Sequence, residues 1–414
     1  MNINNEKLSQ ENIKKLQLEQ INLQLKHSQK SNWYKNKLPN YIETLEEIQK
    51  LPFTSKNELR EGFPYDFLAI PKEKIARINA TSGSTGIPTL CYFSEKDLND
   101  AKNREIINLQ TTGLKPGDIL QNTMGLGLPV LGLLVCHATI SLGATLIPTG
   151  PGNTLRQINL INQLNPTFIY ATPSYLQYLL LHMYNEQNNS SLKTAITTGE
   201  PISDACKKFI KEKGIEVFET YGMTEFGGPV AGECKNHNGW HLFEDYFYAE
   251  IIDPETEKIV PDGEYGELVI TSLRQEAMPL IRYRTRDITR IIPGQCPCGR
   301  THRKIEAITH RIDDMMIING VNVFPSQIEE CIYKHISTAT NYLIHIKENQ
   351  SLKKLLIDIE LPDDLLNNKD NLKKLEFELI QTLKSHITVT PILNFISKGT
   401  LPEVQGKTKR VVKD

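Results

Sequence analysis

The chain has 414 residues with 47 basic against 49 acidic side chains. Nucleic-acid and membrane-surface binders favour a marked basic excess or a basic amphipathic face, so this balance excludes both and points to a small-molecule substrate. No apolar run reaches the roughly 18 residues that a membrane-spanning helix needs, and the sequence opens Met-Asn-Ile-Asn-Asn-Glu instead of with a basic and then apolar leader, so a soluble, cytoplasmic protein is expected. This length exceeds what one small core serves; a large domain followed by a smaller one is the natural division.

In chain order, residues 6–30 place Leu8, Ile13, Leu16, Ile21, Leu23 and Leu25 among Gln, Lys and Glu, a loose helical pattern for a helix lying on a domain surface. A hydroxyl- and glycine-rich stretch follows, Ala80-Thr81-Ser82-Gly83-Ser84-Thr85-Gly86-Ile87-Pro88-Thr89. Glycines let backbone approach a bulky anion, and hydroxyls and free amides donate to phosphate oxygens. It lacks the Gly-Lys-Ser/Thr ending of a Walker A loop, and Pro88 interrupts the point where a helix would begin. Taken alone, the loop reads equally well as a flexible connector.

Between about 75 and 290, residues 144–148, 168–171, 194–198 and 216–219 read as short buried strands, and stretches such as 174–186 are long enough for crossover helices. That is an α/β pattern of mostly parallel strands. Thr198-Gly199-Glu200-Pro201 and Tyr221-Gly222-Met223-Thr224-Glu225 are placed directly after strands, where open α/β sheets gather ligands. From about 245 to 292 the pattern becomes a strand-and-turn meander through residues 250–252, 266–271 and 288–292. Beyond 311 a small α+β domain is expected: a helix opened by Pro325, strands near 341–348 and 354–361, an amphipathic helix over about 364–387, and a polar basic tail. There is no internal repeat or low-complexity tract.

Five ordered motifs, spread over about residues 45–410, are similar to those of the adenylate-forming superfamily of acyl-CoA synthetases and adenylation domains. They are the loop at 81–88; Tyr221-Gly222-Met223-Thr224-Glu225; residues 266–271 leading to Pro279-Leu280-Ile281-Arg282-Tyr283-Arg284-Thr285-Arg286-Asp287; Arg311-Ile312-Asp313-Asp314 with residues 315–329; and Gly406-Lys407. Within that superfamily the chain most resembles the phenylacetate–coenzyme A ligase family, on the Asn-Val-Phe-Pro-Ser-Gln-Ile-Glu segment at 322–329 and the Tyr-Arg-Thr-Arg-Asp segment at 283–287.

The resemblance implies an N-terminal adenylation domain over 1–310 and a C-terminal domain over 311–414 that rotates about a hinge at 311–314, with Asp313 at the hinge position. A small, aromatic or otherwise apolar carboxylic acid is activated with ATP to an acyl-adenylate, pyrophosphate leaves, and the acyl group passes to coenzyme A. Glu225 is expected to hold Mg2+, which takes one or two carboxylates together with phosphate oxygens and water. Thr224 bonds the α-phosphate, Tyr221 lays its ring on adenine beside Gly222, and Gly199, Glu200 and Pro201 form the adenine-side turn. Asp287, placed after a strand, grips the ribose hydroxyls, a task suited to a carboxylate that accepts two hydrogen bonds at once; the alternative is a salt bridge to Arg284 or Arg286. Arg311 touches ribose or phosphate. Thr81, Ser82, Gly83, Ser84, Thr85 and Gly86 cradle phosphates, although the lysine usual near Gly86 is missing, with Ile87 and Thr89 nearby instead. Lys407 bridges substrate carboxylate and α-phosphate as charge builds there, with Lys409 as the fallback. Residues 125–129 and 170–173 are expected to line the acyl pocket.

Of the seven cysteines, Cys91, Cys136, Cys206 and Cys331 lie in apolar contexts that suit buried reduced thiols. Cys234, His241, Cys296 and Cys298 can instead form a closed structural Zn2+ site, with His237 or His302 as alternatives to His241. A carrier-protein pantetheine or an amine as acyl acceptor, a zinc-stabilised non-enzymatic binding protein, and a homodimer are alternatives that the sequence leaves open.

Overall fold

The computed structural model describes residues 6–81, 89–185, 190–308, 310–319, 321–336, 341–349, 352–402 and 410–413. Its centre is a nine-stranded mixed sheet in the order Ile291–Ile292, Lys304–Ile305, Trp240–Leu242, Gly228–Glu233, Glu216–Met223, Thr194–Thr197, Phe168–Ala171, Ile119–Asn122 and Thr145–Pro148. The strands from Thr145–Pro148 to Glu216–Met223 pair in parallel. Their faces are covered by helices Glu95–Thr111, Leu131–Leu142, Thr154–Leu164, Pro173–Asn185 and Asp204–Glu212, the α/β layering expected of short apolar runs buried on both sides.

The strand Glu216–Met223 changes partner mode along its length. Residues 216–219 pair parallel with Thr194–Thr197, whereas residues 220–223 pair antiparallel with Gly228–Glu233. Tyr221, Gly222 and Met223 therefore continue the strand instead of following it, a correction to the sequence reading; only Thr224 and Glu225 leave it, in a 3-10 turn at Thr224–Phe226. The cause is the hairpin with Gly228–Glu233, which supplies ladder partners to residues that a purely parallel sheet would leave unpaired.

The meander forms a second, four-stranded sheet in the order Phe247–Ile252, Gly266–Ser272, Tyr283–Thr289 and His310–Arg311. Gly266 is needed for its tightness, because a Cβ there would stand 2.4 Å from the Ile252 carbonyl oxygen. Asp287 lies inside the strand Tyr283–Thr289 and not beyond a strand end, which corrects the second placement.

The N-terminal helix Gln10–Ser28 buries Ile13, Ile21 and Leu25, while Leu23 is 57% exposed. Its seat is partly polar. The Gln17 amide donates to the carbonyls of Glu244 and Phe247, and the Gln24 amide donates to that of Gln275. Those amides satisfy carbonyls at and beside the meander, so the inward side of the helix carries polar as well as apolar contacts.

Beyond Arg311 a separate apolar core gathers Ile318, Ile328, Ile332, Ile344, Ile357, Leu379 and Leu383. It is built by the helix Pro325–His335, the strand pair Tyr342–Asn349 and Leu352–Leu361, and the helix Lys369–Ile387. The helix expected over 364–387 is split at Asn368, whose side chain caps the longer part. No helix among the described residues is long and apolar enough to cross a membrane.

Candidate active site

The turn after Thr194–Thr197, the end of Glu216–Met223 and the strand Tyr283–Thr289 meet at the C-terminal side of the parallel strands. The turn after Thr194–Thr197 is fixed by Gly199 at φ +88°, a left-handed conformation that L side chains resist. The Thr198 hydroxyl donates to the Thr220 carbonyl at 2.7 Å, tying this turn to the neighbouring strand. The Glu200 carboxylate accepts the Ser174 amide at 2.7 Å, where it caps the helix Pro173–Asn185. Glu200 thus fastens the turn to the next helix, while Pro201 continues it exposed.

Tyr221 stacks on Trp240 with ring centroids 5.9 Å apart and planes 11° from parallel. Its phenol donates to Asp287 Oδ2 at 2.5 Å. Arg311 Nη1 approaches the other carboxylate oxygen of Asp287 at 2.7 Å, and Arg311 also donates to both oxygens of Asp313 at 2.9 and 3.2 Å. Arg284 and Arg286 turn instead toward Glu267, so the neighbouring-arginine alternative for Asp287 is not what the chain adopts. Asp287 is only 2% exposed, and burial pushes its carboxyl up to about 6, against the opposing pull of Arg311 and Tyr221. Near neutral pH it remains a carboxylate held by two donors.

Glu225 is buried beside this group and accepts the Tyr283 phenol at 3.0 Å. Its backbone carbonyl takes the Gln275 amide at 3.0 Å. Burial, followed by the adjacent Glu225 charge, pushes the Tyr283 phenol well above its ordinary value, so it stays a donor. Tyr283, Trp240 and Gln275 are site residues that the sequence reading missed. Tyr283 belongs to the segment 279–287, but nothing in linear spacing shows that its ring reaches across to Glu225.

Strands Arg77–Ala80 and Leu90–Phe93 pair antiparallel, and the Thr81 amide donates to the Thr89 carbonyl at 3.0 Å, which brings together the residues on either side of the hydroxyl-rich stretch. This strand pair lies against the Glu225 turn: a Cβ on Gly227 would stand 3.1 Å from the Phe93 ring. Ser82, Gly83, Ser84, Thr85 and Gly86 lie outside the described residues, as do Gly320, Lys407 and Lys409.

One residue of the expected acyl pocket faces the core instead. Tyr170 is fully buried in a core with Leu120, Val135 and Ile196, and so packs beneath the sheet instead of lining a pocket. Leu126 and Leu128 of the other stretch are 37% and 60% exposed.

A second cluster lies away from these groups. The ligand atoms of Cys234, His241, Cys296 and Cys298 all fall within 4.8 Å of one another. Cys234 and Cys296 sulfurs are 3.6 Å apart, and Cys298 Sγ is 3.4 Å from His241 Nε2. A tetrahedral zinc with bonds of about 2.3 Å to sulfur would space its ligands by about 3.8 Å, so this donor set fits one. His241 Nδ1 meets the His302 carbonyl at 3.0 Å, which leaves Nε2 with its lone pair toward the cluster. Burial holds the His241 imidazole down to about 3, hence neutral. His237 is engaged by Glu216 and Glu233 at 3.1 and 3.2 Å, and His302 supplies only its backbone. The alternatives thereby narrow to His241. The other four cysteines are buried and free.

Comparison with known proteins gives the family. The AMP-binding enzyme family model matches residues 7–274, and the AMP-binding enzyme C-terminal domain matches residues 320–414. A phenylacetate–coenzyme A ligase of Pseudomonas putida is 37% identical over 96% of this chain and 93% of its own length. The chain belongs to the phenylacetate–coenzyme A ligase family of AMP-binding enzymes. A second phenylacetate–coenzyme A ligase, from Aromatoleum evansii, is 36% identical over 98% of this chain and 96% of that protein. The fold is shared with 2-hydroxyisobutyryl-CoA ligase in its postadenylation state, at TM-score 0.90, 23% identity, and coverage of 99% of this chain and 91% of the other. The same enzyme in its thioesterification state gives a TM-score of 0.71 at 24% identity, with equal coverage. As a member of this family the protein is an AMP-forming acid–thiol ligase: it activates a carboxylic acid as an acyl-adenylate and transfers the acyl group to coenzyme A.

Proposed function

We propose that the acid is phenylacetate or a close arylacetate, and that Tyr221, Asp287, Arg311 and Glu225 form the nucleotide half of its site. The observation carrying this reading is the convergence of Tyr221 and Arg311 on Asp287 through 2.5 and 2.7 Å contacts, with Glu225 held at 3.0 Å by the neighbouring Tyr283, in a chain similar over nearly its full length to phenylacetate–coenzyme A ligases.

Chemically, a carboxylate is a poor electrophile. One of its oxygens attacks the α-phosphorus of ATP, the bond to the bridging oxygen breaks, and pyrophosphate departs. The resulting mixed anhydride is then attacked by the coenzyme A thiol, and AMP leaves. Asp287 accepts the ribose hydroxyls, Tyr221 offers its outer face to adenine between Gly222 and the Gly199-Glu200-Pro201 turn, and Thr224 donates to the α-phosphate. Glu225 is the residue that would hold Mg2+, whose contribution is to neutralise phosphate charge. Lys407 is assigned the charge that gathers between carboxylate and α-phosphate, and Thr81 with residues 82–86 the outer phosphates.

Arg311 is the last residue paired with the meander, opposite Asp287, and it also holds Asp313. This supports residues 311–314 as the hinge between an adenylation domain at 1–310 and a rotating domain at 311–414, which exchanges Lys407 for the thiol channel after adenylation. Cys234, His241, Cys296 and Cys298 are assigned a structural zinc that pins the meander end of the large sheet. With four protein ligands it leaves no open position for catalysis.

The test is phenylacetate-dependent exchange of pyrophosphate into ATP, followed by detection of phenylacetyl-CoA by mass. Exchange with phenylacetate absent, but present with another acid from a panel, overturns the substrate assignment. Exchange without thioester would point to a carrier protein or an amine as acceptor.

A further inference from the structure

The strands Gly266–Ser272 and Tyr283–Thr289 do not run in one register. Gly266 faces Thr289 and Glu267 faces Ile288, but Val269 faces Arg284 and Ile270 faces Tyr283. Leu268 alone therefore stands opposite Thr285, Arg286 and Asp287, a bulge carrying two surplus residues. Two, unlike one, keeps the faces: Tyr283, Thr285, Asp287 and Thr289 all remain on the buried side. Asp287 has no partner in Gly266–Ser272 and pairs on its other edge with Arg311, its carboxylate meeting Tyr221 and Arg311 while staying on the side of Tyr283 and Glu225.

Such a bulge strands backbone polar groups, and two side chains satisfy them. The Thr285 hydroxyl donates to the Leu268 carbonyl at 2.7 Å and accepts the Asp287 amide at 3.1 Å. The Glu267 carboxylate, fully buried, accepts the Arg286 amide at 3.1 Å, where Arg286 is held at φ +67°. Its second oxygen takes Arg284 Nε and Nη2 at 3.0 and 2.6 Å. A left-handed arginine is costly and persists only when its surroundings over-determine it, which this clamp does.

We propose that Thr285 and Glu267 are positioning residues for nucleotide selection: they hold the bulge that sets the Asp287 carboxylate at the height of the ribose hydroxyls. This rests on the assignment of Asp287 to the ribose made above. Valine at 285 can neither donate to Leu268 nor accept from Asp287, whereas serine does both.

The experiment compares kcat/KM for ATP with that for 3′-deoxyATP, using the acid that supports the fastest exchange, in the full-length protein and in Asp287→Ala, Thr285→Val, Thr285→Ser and Glu267→Gln. A charged hydrogen bond to a ribose hydroxyl gives the unaltered protein a preference for ATP of about tenfold or more. The preference should fall toward one in Asp287→Ala and Thr285→Val, and Thr285→Ser should retain it. A merely structural role would lower both nucleotides together and leave the ratio unmoved. Thr285→Val with the original preference, beside Asp287→Ala without it, overturns the positioning role alone. An unchanged preference in Asp287→Ala overturns the ribose assignment and this proposal with it. Should Thr285→Val not accumulate folded, Thr285→Ala, which also lacks the hydroxyl, carries the same comparison, and an unmoved ratio there is equally decisive against it.

Discussion

Replacing Tyr221 with phenylalanine keeps the ring on Trp240 and removes only the donor 2.5 Å from Asp287. Asp287 is an acid whose folded value is raised by burial from 3.8 to about 6. Between those values the folded chain keeps a proton that the unfolded chain has lost, so this group's contribution to stability falls as pH rises through that window, by about 3 kcal/mol in all. The ionised form is the one that can accept two ribose hydroxyls, so ATP use should be lost as pH falls through about 6. A hydrogen bond to a charged group is worth about 1.5–3 kcal/mol. At about 1.4 kcal/mol per pH unit, its loss raises the Asp287 carboxyl by a further one to two units, roughly. The Tyr221→Phe midpoint in kcat/KM for ATP should therefore move to about pH 7–8. The assay is pyrophosphate release at saturating acid from pH 5.5 to 8.5, roughly the span in which the midpoint must move. ATP's own ionisation is common to both proteins and cancels in the comparison. A uniform loss across pH, or a midpoint that stays or moves down, would refute the claim that the phenol holds the charge on Asp287.

Glu225→Gln keeps an acceptor for Tyr283 but removes the charge, and should slow single-turnover adenylate formation by about 100-fold or more while leaving the melting temperature nearly unchanged; a shift in Mg2+ dependence is the accompanying readout, and an unchanged Mg2+ titration contradicts the assignment. Lys407→Ala should depress acyl-adenylate formation by about 100-fold or more, yet still convert a supplied acyl-adenylate to thioester; intact adenylation would remove Lys407 from the first half-reaction. The purified protein should carry one zinc per chain by elemental analysis, lost in Cys296→Ser with a melting temperature lower by about 5 °C or more; metal-free protein of unchanged stability would end the zinc assignment.

The parallel strands at 168–171 and 194–197 were legible because buried central strands are short apolar runs that need no partner information to recognise. The motif residues were legible as chemical groups: carboxylates, aromatic rings and a glycine at a tight turn. Hidden from the sequence were pairings that depend on which strands meet. Tyr221 lies within a strand because a hairpin partner extends it, and Asp287 lies within a strand because the bulge frees it from Gly266–Ser272 while Arg311 pairs with it on the other edge. Tyr170 looked like a pocket wall only because its neighbours are apolar, a property that core and pocket share.

What the sequence by itself determined is the set of chemical groups: donors, acceptors, thiols and the order in which they come, from which the fold class and the reaction class follow. The tertiary structure alone decided their partners. Arg311 rather than Arg284 or Arg286 pairs with Asp287, His241 rather than His237 joins the three cysteines, and Tyr283 reaches Glu225. The physical reason is that hydrogen bonds and ion pairs act over a few ångströms, and the distance between residues 24 to 66 positions apart is set by strand register, which linear spacing does not encode.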